Sequence, residues 1–125
     1  MRQSKLLELL RLLPAVRWRR FGEFVQSPYW NKNKDIRAFY QFLSAYHPKF
    51  DHPDLDKKNV VARLAPIGAL TEKNLAHFMS RLTELAETFI SIETLRETPA
   101  LQEWLHLNAL QQSKLPRLFA AGYEK

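Results

Sequence analysis

The sequence predicts an all-α fold, a compact bundle of six to seven helices, on three observations. Nearly every segment spaces its apolar residues at helical period. Serine, threonine, asparagine, aspartate or proline stands where each helix would begin. No strand hairpin, glycine-rich loop, low-complexity tract or internal repeat interrupts the pattern.

Ser4 caps a first helix, in which Leu6, Leu9, Leu10 and Leu13 form one stripe and Lys5, Glu8 and Arg11 the opposite face. Leu7 and Leu12 widen that stripe, which predicts cover on more than one side. Pro14 either ends this helix or opens the next. A second helix over residues 15–26 groups Trp18, Phe21 and Val25, with Phe24 beside them. Gly22 weakens it by about 1 kcal/mol relative to alanine and permits a close helix crossing. Ser27 precedes Pro28, is biased out of the helical region, and stops the helix. Asn33 caps a third helix, whose Ile36, Phe39, Tyr40 and Leu43 follow the i, i+3, i+4, i+7 rule.

Residues 47–56 read as an irregular loop. His47, Asp51, His52, Asp54 and Asp56 are metal-ligand types, but their spacing fits no zinc or calcium pattern, and no metal site is expected. Asp56 caps a short helix carrying Val60, Val61 and Leu64, which Pro66 and Gly68 end. Thr71 caps the fifth and longest helix, beginning at Glu72. Its stripe is Leu75, Phe78, Met79, Leu82, Leu85, Ala86 and Phe89. The pattern loosens at Phe89, Ile90 and Ile92, where β-branched residues predict a helix end or a short extended piece. Thr98 and Pro99 restart a helix with Leu101, Trp104 and Leu105 on one face. Ser113 caps a last turn or two bearing Leu115, Leu118 and Phe119, with Gly122 as the stop. The expected organisation is one helical domain over 1–125: basic aromatic-rich helices to 46, the loop to 56, a helix pair to 97 and a C-terminal helical pair.

Ten of the fifteen aromatic residues fall between positions 18 and 50. They surround the densest motif in the chain, Phe21, Phe24, Ser27, Pro28, Tyr29, Trp30, Asn31, Lys32 and Asn33. Tyr29 and Trp30 lie between two helices, and the simplest expectation is that their rings close that junction, with their polar tips reaching water or backbone. The competing one is a ligand platform. This F-x-x-F-x-x-S-P-Y-W-N-K-N run resembles a signature near the N-terminus of a family of uncharacterised bacterial proteins. The likeness extends through Met79, Ser80, Arg81 and Leu82 and through Phe89 and Ile90. It implies that this chain is the N-terminal domain of a longer helical protein, and it carries no activity, cofactor or site residue with it.

Composition excludes several function classes. No cysteine is present, so disulfides, zinc thiolates and thiol catalysis are out. No apolar run reaches the roughly 20 residues that cross a membrane, and Glu8 and Arg11 break the leucine-rich start. A cytoplasmic, membrane-free protein is expected. His47, His52, His77 and His106 lack motif-grade partners, and Glu84, Glu87, Glu93 and Glu97 read as a solvated acidic face. Neither an enzyme nor a cofactor site is expected.

The net charge is +6, and residues 1–50 hold ten Lys/Arg against three Asp/Glu. A basic face of this kind steers toward nucleic acid or acidic partners, or is simply solvated. The leading expectation is a non-catalytic protein-interaction or scaffold domain, docking another protein or the rest of a longer chain. Its candidate surface is Leu115, Leu118, Phe119 and Tyr123, which either fold back on Leu101, Trp104 and Leu105 or await a partner. The alternative is a nucleic-acid-binding domain using the helix-turn-helix-like pair over 57–86. There Lys73, Asn74, His77 and Arg81 would face the groove, with Arg19 and Arg20 adding charge. Single strands stacking on Trp18, Tyr29 and Trp30 beside Lys32 and Lys34 are a further possibility, open only to rings left exposed.

Overall fold

The computed structural model describes residues 4–64 and 72–112. Among them the fold is all-α, with six helices, one 3-10 turn and no strand. The chain divides into two compact units, Met1–Phe89 and Ile90–Lys125.

In the first unit, α1 (Lys5–Arg11) is capped by Ser4, whose hydroxyl accepts from the Leu7 amide at 3.3 Å. Leu6, Leu7, Leu10 and Leu13 are buried, so Leu7 does widen the stripe. Leu12 does not: it is 71% exposed, because the helix ends at Arg11 and Leu12 turns the chain outward as its C-cap. Pro14 is extended and stands immediately before α2 (Ala15–Gln26), opening that helix rather than extending α1.

The core is organised around Trp18 on α2. Its ring stacks between Tyr40 of α3 (Lys34–Ser44), 4.7 Å away, and His47, 5.0 Å away. Phe21 and Phe50 close on it at a tilt. The Tyr40 hydroxyl donates to the Trp18 carbonyl at 2.9 Å, and this approach passes directly over Gly22. A Cβ at Gly22 would lie 2.5 Å from the Tyr40 oxygen and 2.9 Å from Cζ, so the expected close helix crossing is real and depends on that glycine.

The chain leaves α3 through an irregular stretch pinned from three sides. His47 Nε2 donates to the Leu13 carbonyl at 2.6 Å, and its peptide to Pro48 is cis. Phe50 is fully buried with φ of 49°, a left-handed conformation that costs a bulky residue about 1–2 kcal/mol. Arg11, expected on a solvent face, holds that conformation instead: Nε donates to the Lys49 carbonyl at 2.9 Å and Nη2 to the Phe50 carbonyl at 3.1 Å. A 3-10 turn (Pro53–Leu55) follows, burying Leu55, and α4 (Lys57–Leu64) buries Val60 and Leu64.

α5 (Glu72–Arg96) contributes Leu75, Phe78, Leu82, Leu85, Ala86 and Phe89 to the first unit's core. The expected break near Ile90 does not occur, and the helix continues to Arg96. A β-branched residue costs a helix only a few tenths of a kcal/mol, and neither glycine nor proline is present to stop it. In the second unit, Thr98 ends the run and Pro99 takes the first position of α6 (Pro99–Gln112), as the sequence predicts. Gln102 Nε2 donates to the Leu95 carbonyl at 2.8 Å, satisfying an acceptor at the end of α5.

The α2–α3 approach has a measurable signature. Gly22→Ala should destabilise by about 1–3 kcal/mol in denaturant unfolding, although alanine is the better helix former by about 1 kcal/mol. Tyr40→Phe should cost about 1 kcal/mol and reduce the penalty of Gly22→Ala in the double variant. Burial raises the Tyr40 phenol above its usual value, with the Ser44 hydroxyl opposing. The stability this linkage supplies is therefore complete below about pH 10 and lost as pH rises through the raised value. Alkaline unfolding should consequently be shallower in Tyr40→Phe.

A candidate interaction surface at the aromatic turn

The motif between α2 and α3 forms a rigid turn with an exposed crown. Ser27 ends α2 in an extended conformation, and its carbonyl accepts from the Trp30 amide at 3.1 Å and the Asn31 amide at 2.9 Å. Asn31 is the keystone, only 2% exposed. Its Nδ2 donates to the Val25 carbonyl at 2.9 Å and the Asn33 carbonyl at 3.3 Å, while its Oδ1 accepts from the Asn33 amide at 3.2 Å. Asn33 in turn caps α3, taking the Asp35 amide at 2.8 Å and the Ile36 amide at 3.4 Å, as expected. Sequence reasoning missed Asn31. The available signal was a second asparagine two residues before a helix cap, the spacing at which a side-chain amide can bridge a turn.

The junction is therefore closed by an amide, and the two rings above it behave differently. Trp30 stacks one face on Phe24, at 5.0 Å, and remains 37% exposed. Phe24 rests in turn on Phe89 of α5 at 5.6 Å. Tyr29 stands edge-on to Trp30 at 5.1 Å and 82°, and is 85% exposed. The expectation that both rings seal the junction is thus corrected: Phe21, Phe24 and Asn31 already fill it, and Tyr29 has nothing left to cover.

Arg81 of α5 reaches this turn. Its Nη2 donates to the Trp30 carbonyl at 3.3 Å, and its Nη1 pairs with Glu84 at 3.1 Å. That contact brings the expected groove-facing side of α5 to the motif, although the two are 51 residues apart in sequence. Asn74 and His77 lie exposed on α5, while the side chain of Lys73 falls outside the described residues. Lys32 and Lys34, which follow Tyr29 in the turn and at the start of α3, are exposed, as are Arg19 and Arg20 on α2. Trp18 is buried in the core and offers no ring to a ligand. Leu115, Leu118, Phe119 and Tyr123, together with residues 65–71 between α4 and α5, lie outside the described residues.

Of the metal-ligand types in the loop, His47, His52 and Asp54 have visible structural roles. Asp54 accepts the Tyr46 hydroxyl at 2.9 Å and pairs with Arg63 at 3.0 Å, while its own amide donates to His52 Nδ1 at 3.0 Å. Desolvation first, then Asp54 as acceptor and charge, raises the Tyr46 phenol. No cluster that could hold a metal occurs among the described residues. A cavity of about 450 Å³ between α1 and α5 is lined by Ser4, Lys5, Leu6, Met79 and Thr83, and Lys5 and Glu87 pair at 3.2 Å across its rim.

No helix among the described residues is long and apolar enough to cross a membrane. No protein-family model, curated protein or solved structure matches the chain.

The turn ranks its residues by stability. Asn31→Ala should cost about 2–3 kcal/mol, since it strands a buried carbonyl and releases the Asn33 amide. Trp30→Ala should cost about 1–2 kcal/mol, below the 3–5 typical of a fully buried tryptophan. Tyr29→Ala should stay within about 0.5 kcal/mol. Chemical denaturation of the three variants tests that order.

Proposed function

We propose that this chain is a non-catalytic helical interaction or scaffold domain of the cytoplasm, docking another protein or the remainder of a longer helical chain. The observation that carries the reading is α6. None of its residues is buried, and Leu101, Trp104, Leu105 and Leu107 are all exposed, Trp104 at 60%. Those side chains, with Leu110, point to several sides of the helix rather than to one stripe. A helix that spreads large apolar side chains around its circumference, with polar residues between them, is not one that a single packed face explains. A 14-residue helix without tertiary cover is marginal in water. A binding partner supplies that cover.

The nucleic-acid reading of the helix pair over 57–86 is the weaker one. Arg81, its best base-reading candidate, is already held by Glu84 and the Trp30 carbonyl. The catalytic reading has less still, since His47 and His52 each commit a ring nitrogen to a backbone group.

A photo-crosslinking amino acid placed at position 104 of the intact chain in cells tests the proposal. It should yield one discrete adduct whose cross-linked peptide is identifiable, and Leu101→Glu in the same chain should abolish it. A chain that gives no adduct, or an adduct unaffected by Leu101→Glu, refutes the reading.

A further inference from the structure

The first unit carries an exposed aromatic pair, separate from α6, at the crown of the aromatic turn. Folding gives the Tyr29 ring nothing to support, since it is 85% exposed and the junction beneath it is sealed without it. Yet the backbone that carries it is held at several points. The preceding Pro28 restricts the backbone, two amides lock onto the Ser27 carbonyl, and the buried Asn31 amide ties the turn to both helices. Trp30 buttresses the ring from one side and is itself seated on Phe24. A large amphipathic ring already held in place loses little freedom when a partner closes over it, which is the anatomy of an interface anchor.

The charge around that anchor has one sign in excess. Residues 17–37 hold six Lys/Arg against Glu23 and Asp35. Lys32 and Lys34, three and five residues beyond Tyr29, are exposed. Asp35 sits within the first turn of α3, where the helix dipole already favours it. Glu84, the nearby acid on α5, is committed to Arg81. Among the described residues neither lysine is held in an ion pair, which leaves both available to an external anion.

We propose that the Tyr29–Trp30 crown, flanked by Lys32 and Lys34, docks an acidic, extended segment of a partner protein. The tyrosine ring takes an apolar side chain of that segment, and the lysines take its carboxylates. The ring geometry favours a peptide over a nucleic-acid strand. Successive bases need successive open platforms, whereas Tyr29 and Trp30 stand at 82° and one face of Trp30 is covered by Phe24. The inference rests on the interaction-domain reading but uses a different surface from α6.

A random library of short peptides, selected on the intact chain and followed by fluorescence anisotropy, tests it. Selected peptides should be enriched in Asp and Glu around at least one apolar residue. Their affinity should fall at least about tenfold in Tyr29→Ala and in the Lys32→Glu, Lys34→Glu double variant, with unchanged thermal unfolding. It should also weaken as salt rises from about 50 to 300 mM. Leu101→Glu should leave it intact, so that failure of the α6 reading and failure of this one are told apart. Selection without acidic enrichment, or full affinity in Tyr29→Ala, overturns the proposal. A short oligothymidine that binds more tightly than the peptides and loses affinity in Tyr29→Ala overturns it in favour of nucleic acid.

Discussion

Trp18 is the residue on which the rest of the first unit depends. Its indole is held face to face between Tyr40 and His47, so one ring joins α2 to α3 and to the loop that leaves α3. Aromatic pairs of this kind contribute about 0.5–1.5 kcal/mol beyond the area they bury. Their larger consequence is positional. The stack sets the separation of the two helices, Gly22 permits that separation, and the Tyr40 hydroxyl fixes the register by reaching the Trp18 carbonyl. Once α2 and α3 are set, the length of their connection is fixed, and the aromatic turn has little freedom in how it presents Tyr29.

The two units place their apolar residues differently. In the first, most leucines and aromatics of α1, α2, α3 and α5 are buried, and the exposed large apolar residues among the described ones are Leu12, Val16, Tyr29 and Trp30. In the second, α6 exposes most of its large side chains. Isolated apolar residues on a surface are ordinary, but four large ones exposed within seven residues of one helix are not. The contrast leaves two kinds of exposed apolar surface among the described residues: the large side chains of α6 and the Tyr29–Trp30 pair.

The helices were legible in the sequence because periodicity reports burial directly. Ile36, Phe39, Tyr40 and Leu43 could be assigned to one face by spacing alone, and Ser4 and Asn33 could be assigned as caps by type and position. What escaped was anything set by contacts distant in sequence. Arg11 reads as a solvent-facing helix residue until the loop carbonyls 38 and 39 residues away arrive beside it. The continuation of α5 past Phe89 was hidden by a local preference too weak to decide the outcome. Tyr29 and Trp30 were legible as a distinctive pair, but their exposure depended on Asn31, a polar residue filling a site that hydrophobic reasoning reserved for a ring.

Five of the side chains that tie this fold together share a habit: they grip main-chain carbonyls. Arg11 holds Lys49 and Phe50, Asn31 holds Val25 and Asn33, Tyr40 holds Trp18, His47 holds Leu13, and Arg81 holds Trp30. A carbonyl is the same acceptor whatever side chain it belongs to. The gripping residue is therefore constrained while an exposed residue it grips, such as Lys49, is not. Surface chemistry along these loops and turns can drift, for instance to suit a different partner, without loosening the tethers that shape them.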